Sequence, residues 1–220
     1  MTTLYFIRHG KTEWNQEGRF QGANGDSPLL PESYEQIKQL AHHLAPIPFK
    51  HAFSSPIKRA VDTAEATLAA MHQDVPLTLL PGLKEFGMGV WEGMRFEDVK
   101  RQYHDMHEAY RHQPDLFDAD QVPGAESFEH VQERFVKDVK ATVQQYGGPD
   151  VNLIYFSHGM ALTAGMGALL QVPLSDVRKE GGLSNTSTSI LETDDGEHYR
   201  EVVRNDVSYL GGTQDETNTV

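Results

Sequence analysis

The chain has 220 residues, with 32 acidic side chains against 19 basic ones and a formal net charge of −13 at pH 7. That length holds one domain with a sizeable core, or at most two small ones. A surface so negative repels nucleic acid and acidic lipid, so neither is expected as a partner, and the absence of cysteine excludes disulfides, thiolate metal ligands and thiol nucleophiles.

In chain order, Leu4-Tyr5-Phe6-Ile7 reads as a buried strand. It is too short for the apolar core of a signal peptide, and no stretch approaches the roughly 20 apolar residues of a membrane helix. A soluble, cytoplasmic protein is expected. Arg8-His9-Gly10 follow at the end of the strand, where open α/β sheets place their ligands. Gly10 is expected to let the backbone turn sharply and a ligand come close. A fixed cation, an imidazole able to attack and polar neighbours together point to phosphoryl transfer.

Residues 10–30, rich in Gly, Asn, Asp, Ser and Pro, read as a functional loop. Pro31 opens a helix whose apolar stripe is Tyr34, Ile37, Leu40, Ala41 and Leu44. A second strand covers 51–54. Ser55-Pro56 then reads as a capping hydroxyl before a proline at the first helical position, and that helix is expected to bury Val61, Ala64, Leu68 and Met71. A third strand spans 77–80, and 82–93 form a Gly-rich loop. Residues 94–122 are polar, with many histidines and aromatics, and are expected to be helical.

Ser127 caps a helix turning Phe128, Val131, Phe135, Val139 and Tyr146 inward, and Gly147-Gly148-Pro149 stops it. Residues 151–157 form the clearest buried strand, ended by His158-Gly159 as His9-Gly10 end the first. A helix at 160–170 and a hairpin of 187–191 with 199–203 complete the fold, and the tail 211–220 is expected to fray. This alternation predicts an α/β protein, a three-layer α/β/α sandwich with a mainly parallel central sheet. One domain over 1–220 is expected, with 94–122 as a variable helical cap.

Four elements stand at strand ends or just beyond: Arg8-His9-Gly10, the helix-borne Arg59, Glu85 in the Gly-rich loop, and Ser157-His158-Gly159. The surrounding stretches are RHGKTEWN (8–15), GRFQG with DSPL (18–22 and 26–29), and SSPIKRAVDTAE (54–65). LKEFGMGVWEG (83–93), PGAESF (123–128) and YFSHG (155–159) complete the series. In these motifs the chain resembles the histidine phosphatase superfamily, the phosphoglycerate-mutase-like proteins, over nearly its whole length and in family order.

The chemistry of the residues agrees with that resemblance. A neutral imidazole whose other nitrogen is held by an acceptor can attack phosphorus in line and form a phosphoramidate; His9 is the candidate. Arg8 and Arg59 offer forked donors for the equatorial phosphoryl oxygens. His158 supplies another donor beside Gly159, and Thr12 and Asn15 add neutral hydrogen bonds. The resemblance also implies that Gln21 and Gly22 line the pocket and that Glu85 protonates the leaving group and then activates water. That role needs a carboxyl pKa raised by burial or by nearby phosphate. The scheme uses neither metal nor cofactor, and its partner is a small phosphomonoester.

Cofactor-dependent mutases of this family follow the catalytic Glu with Arg-His-Tyr and carry a Trp-Arg-Arg-Ser segment. Here Glu85 is followed by Phe86-Gly87-Met88, and the comparable region offers only Lys100-Arg101-Gln102-Tyr103. The resemblance is therefore to the phosphatase branch. The alternatives are a phosphoglycerate mutase, a non-catalytic phospho-ligand-binding module and a metal-dependent hydrolase. His104 and His107 have the spacing of a helical metal pair, and His42-His43 is another pair. Asp105 and Glu108 beside the first pair read more simply as a solvated face, and no HExxH signature appears. Trp14 and Trp91 read as packing residues.

Overall fold

The computed structural model describes residues 1–211, so the expected frayed tail, apart from Gly211, lies outside the described residues. A six-stranded sheet runs in the order β3-β2-β4-β1-β5-β6. Its strands are β1 (Thr2–Arg8), β2 (Phe49–Ser54), β3 (Leu77–Leu79), β4 (Val151–Ser157), β5 (Thr188–Thr193) and β6 (Arg200–Asp206). The first four are mutually parallel; β5 runs antiparallel to β1 and β6 antiparallel to β5. The sheet is thus mostly parallel, and the late hairpin adds its antiparallel edge.

Period-two alternation sends the side chains of β1 to both faces. Ile7 packs with Leu40, Ala41, Leu44, Ala64 and Leu68, which belong to α2 (Pro31–Leu44) and α3 (Lys58–Met71). Leu4 and Phe6 pack with Phe135, Val139, Leu162 and Met166, from α6 (Phe128–Tyr146) and α7 (Gly159–Leu169). Helices therefore cover both faces, giving the three layers. Tyr155 joins the second face by stacking on Phe6 and Phe53 at 4.9 and 5.0 Å, contacts worth about 0.5–1.5 kcal/mol each beyond their buried area.

The differences from sequence pattern are local. Residues 10–30 are not wholly loop: Thr12 caps a one-turn helix, α1 (Glu13–Gln16), in a reciprocal capping box with Asn15. Tyr34 leaves the α2 stripe and is 41% exposed; Ser33 is buried in its place, donating to the Lys11 carbonyl at 2.7 Å. Val61 is only half-buried, and Thr63 and Thr67 complete the buried face of α3. Ser55 does not cap α3, which starts at Lys58 with Ile57 as its cap residue. Residues 94–122 contain α4 (Phe96–Gln102), α5 (His104–His112) and two single 3-10 turns. Trp91, Tyr110 and Phe128 centre an apolar cluster that joins this region to α6 and α7.

Candidate active site

Parallel register puts Arg8 opposite Ser157, so the chain leaves both central strands at one level of one sheet edge. The next residues, His9 and His158, lie side by side with ring centroids 5.1 Å apart. The His9 backbone is held by Ser157, whose carbonyl accepts from its N–H at 3.0 Å, and by Asn185, whose Nδ2 donates to its carbonyl at 3.0 Å. Gly10 plays a different part from the one its sequence position implies. Its φ is not left-handed, and a Cβ there would stand 3.1 Å from the Cβ of Ser33. The glycine gives α2 room to approach, and its N–H donates to Thr63 Oγ1 at 3.0 Å.

His9 Nδ1 lies 2.7 Å from the Gly10 carbonyl oxygen. A carbonyl only accepts, so Nδ1 carries the proton and Nε2 holds the lone pair. Nε2 accepts from Arg59 Nε at 3.3 Å. Burial, then Arg59, then Arg8 hold the His9 pKa well below its ordinary value, outweighing the Gly10 hydrogen bond. The ring is neutral, with Nε2 as its nucleophilic atom.

Arg59 is 1% exposed and reaches across to residues 21–26. Its terminal nitrogens donate to the carbonyls of Gly25 (2.9 Å), Gln21 (3.2 Å) and Gly22 (3.1 Å) and to Asp26 Oδ1 (3.1 Å). Glu92 holds the same segment, accepting from the N–H of Asn24 at 3.1 Å and of Met88 at 3.1 Å. Close approach demands glycine at position 22: a Cβ would meet Glu92 Oε1 at 2.5 Å and the Phe86 carbonyl at 2.8 Å. Arg8 is buried, donates to the Leu183 carbonyl, and has its pKa lowered to about 10, chiefly by burial. It stays cationic at neutral pH.

Glu85 is 8% exposed and sits over the start of α7. Its oxygens accept from the N–H groups of Ala161 (2.9 Å), Phe86 (3.0 Å) and Met160 (3.3 Å). These bonds and Arg59 favour the carboxylate, yet burial outweighs them and raises the pKa. Its loop is fastened from both sides. Ser157 Oγ donates to the Leu83 carbonyl at 2.7 Å, and Arg134 of α6 donates to the carbonyls of Gly82, Lys84 and Glu85. Glu126 completes the brace, accepting from Arg134 Nε at 2.8 Å and Gly87 N–H at 2.9 Å.

Arg8, His9, Asn15, Arg19, Phe20, Gln21, Glu85, Met88, Phe96 and Tyr110 line one small cavity of about 30 Å³, room for about two waters. Asn15 Oδ1 already accepts from the N–H and hydroxyl of Thr12 at 3.1 and 3.0 Å, which leaves its amide NH₂ for a ligand. Thr12, fully buried, caps α1 and donates its hydroxyl within the loop. Its geometry is that of a brace. Gln21 is at the wall, Gly22 is under Arg59, and Gly159 opens α7 beside Arg8.

Sequence pattern missed several of these contributors. Arg134 carries no signal in the pattern of its helix, Asn185 lies in a Ser/Thr-rich run without period, and Ser55 was read as a cap. Among the described residues, no group of three or more His, Cys, Asp or Glu is arranged to hold a metal ion. His104 and His107 instead turn to Asp105 and Glu108, and His43 stacks on Tyr209 at 4.6 Å. Trp91 is fully buried packing. No helix among the described residues is long and apolar enough to cross a membrane.

Paired histidines at adjacent strand ends, two buried arginines and a carboxyl of raised pKa thus meet at one edge of the sheet. The family model for the histidine phosphatase superfamily (branch 1) matches residues 4–206. Among curated relatives, a probable phosphoglycerate mutase GpmB of Cronobacter sakazakii is 32% identical over 178 residues, covering 79% of this chain and 77% of the relative. Among solved structures, Bacillus stearothermophilus YhfR superposes with a TM-score of 0.86 at 29% identity, over 95% of this chain and 99% of that one. A mycobacterial glucosyl-3-phosphoglycerate phosphatase complexed with VO3 gives 0.80 at 27% identity, over 92% and 98%. A phosphoserine phosphatase mutant from Entamoeba histolytica, in complex with phosphoserine, gives 0.79 at 26% identity, over 96% and 100%. The chain belongs to the histidine phosphatase superfamily, branch 1, and is a hydrolase of the histidine phosphatase and phosphoglycerate mutase family.

Proposed function

We propose that this protein hydrolyses phosphomonoesters of small metabolites without a metal, through a phosphohistidine on His9. The observation that carries the reading is the His9 ring, with Nδ1–H tied to the Gly10 carbonyl at 2.7 Å and the Nε2 lone pair turned to Arg59. Nε2 attacks phosphorus in line, an N–P bond forms, and the ester P–O bond breaks. Glu85, whose carboxyl pKa is raised by burial, in its protonated form gives its proton to the departing alkoxide. Water then attacks the phosphohistidine, Glu85 takes back a proton, and inorganic phosphate leaves with neutral His9 restored.

Arg8, Arg59 and His158 hold the equatorial oxygens through both steps. Arg59 gives its N–H groups to His9 and to acceptors in residues 21–26, so the substrate's oxygens compete with those acceptors for its donors. Small-metabolite phosphatases among the structural neighbours, and the apolar Phe86 and Met88 after Glu85, support hydrolysis.

A second reading, phosphoglycerate mutase, is favoured by the names of the curated relatives. Turnover of p-nitrophenyl phosphate that survives EDTA and is inhibited by vanadate is the expected result. No turnover across a panel of phosphomonoesters from pH 4 to 9 leaves a phospho-ligand-binding module instead. With 3-phosphoglycerate and a bisphosphorylated primer, phosphate release should outrun isomerisation; the reverse order establishes the mutase.

A further inference from the structure

His158 is fully buried, as is Ser55, and its Nε2 lies 2.8 Å from Ser55 Oγ. Its other nitrogen, Nδ1, has no hydrogen-bond partner among the described residues. A buried polar nitrogen left alone beside a nucleophile calls for an explanation.

The hydrogen bonds of Ser55 supply one. Its hydroxyl oxygen accepts from the Ile57 N–H at 3.2 Å, and its single proton has one acceptor in reach among the described residues, His158 Nε2. If Nε2 carried a proton instead, the serine proton would be left buried without a partner, whereas Nδ1 lacks one among the described residues in either tautomer. The arrangement that satisfies Ser55 makes Nε2 an acceptor and puts the ring's proton on Nδ1.

We propose that Ser55 is a positioning residue that fixes the His158 tautomer, so that Nδ1–H stands ready to donate to a phosphoryl oxygen at His9. The identity of the anion rests on the phosphohistidine reading above; the tautomer does not. Burial and the surrounding cations, Arg59 first, keep the ring neutral, so the choice of nitrogen decides whether it can donate at all. The hydroxyl thus gives its proton to the neighbouring strand end while its oxygen accepts from Ile57, the residue before α3.

Nitrogen-15 spectra of the imidazoles distinguish the two tautomers, with the His158 signals assigned by their loss in His158→Asn. The wild type should show Nδ1–H, and titration with inorganic phosphate should shift that signal. Ser55→Ala should mix the tautomers and lower both phosphate affinity and kcat/KM by roughly 10- to 100-fold. Ser55→Thr, which keeps the hydroxyl, should rescue all three readouts.

An Nε2–H tautomer in the wild type overturns the proposal, as does Ser55→Ala with an unchanged spectrum and unchanged phosphate binding. The wild-type spectrum decides even if Ser55→Ala does not fold. A wild type with the expected tautomer and phosphate binding but no turnover sinks the phosphatase reading and leaves the role of Ser55 standing.

Discussion

At the sheet edge, Arg59 directs all five of its N–H groups to named acceptors, His9 and four oxygens of residues 21–26. Trp91, in the cluster beneath residues 94–122, is just as deeply buried, yet its indole N–H has no partner among the described residues. Rings surround it instead, with Phe20, Tyr103, Tyr110 and Phe117 at centroid distances of 5.3, 5.8, 6.0 and 5.9 Å. One region is fixed by directional bonds between charged and polar groups, the other by non-directional apolar packing. A directional site loses function when one atom moves, whereas an apolar cluster loses stability in proportion to the volume removed.

Substitutions at matched depth separate the two. His9→Ala should lower turnover by about a hundred-thousand-fold while the thermal midpoint stays near the wild-type value; unfolding of the variant would place His9 in the core. Trp91→Ala should do the reverse. It should cost about 3–5 kcal/mol of unfolding free energy in urea, with the folded fraction keeping most of its turnover of p-nitrophenyl phosphate. A selective loss of kcat without loss of stability would merge the two regions.

Glu85→Gln should slow hydrolysis of alkyl phosphates by about 10²–10³-fold and that of p-nitrophenyl phosphate far less, since a good leaving group barely needs a proton. Burial raises the Glu85 pKa above its ordinary 4.5, and the protonated form is the acid. Alkyl-ester turnover should therefore fall as pH rises through that raised value, and the Gln variant should lack this limb. Equal losses on both substrate types would remove Glu85 as proton donor. The smallest effect is expected at Asp26, whose carboxylate pairs with Arg59 at 3.1 Å but is 34% exposed. Asp26→Asn should lower KM about two- to fivefold by easing release of Arg59 to the substrate; a raised KM would mean that Asp26 orients the arginine instead.

The same contrast decides what could be read from sequence. Arg8-His9 and Ser157-His158 were legible because each ends an apolar strand run, and parallel register then brings both to one edge. The layers followed from the stripes of α2, α3 and α6. Thr12 and Ser55 were misread because a hydroxyl's partner is set by geometry: Thr12 caps a helix too short to leave a period, and Ser55 serves another strand. Arg134 was invisible because its partners, the carbonyls of 82–85, lie about fifty residues away in sequence. Residues 94–122 were legible only as helical, since their packing joins Phe20, Trp91, Tyr110 and Phe128 from four separate segments.

The proposed reaction stands on covalent capture of phosphorus by His9 Nε2. Rapid mixing with a phosphorus-32-labelled ester, an alkaline quench and peptide mapping measure this directly. An acid-labile label on His9 at Nε2, forming before phosphate is released and absent from His9→Ala, is the predicted result. Label on another residue, or product release with no trapped adduct at any time point, contradicts it.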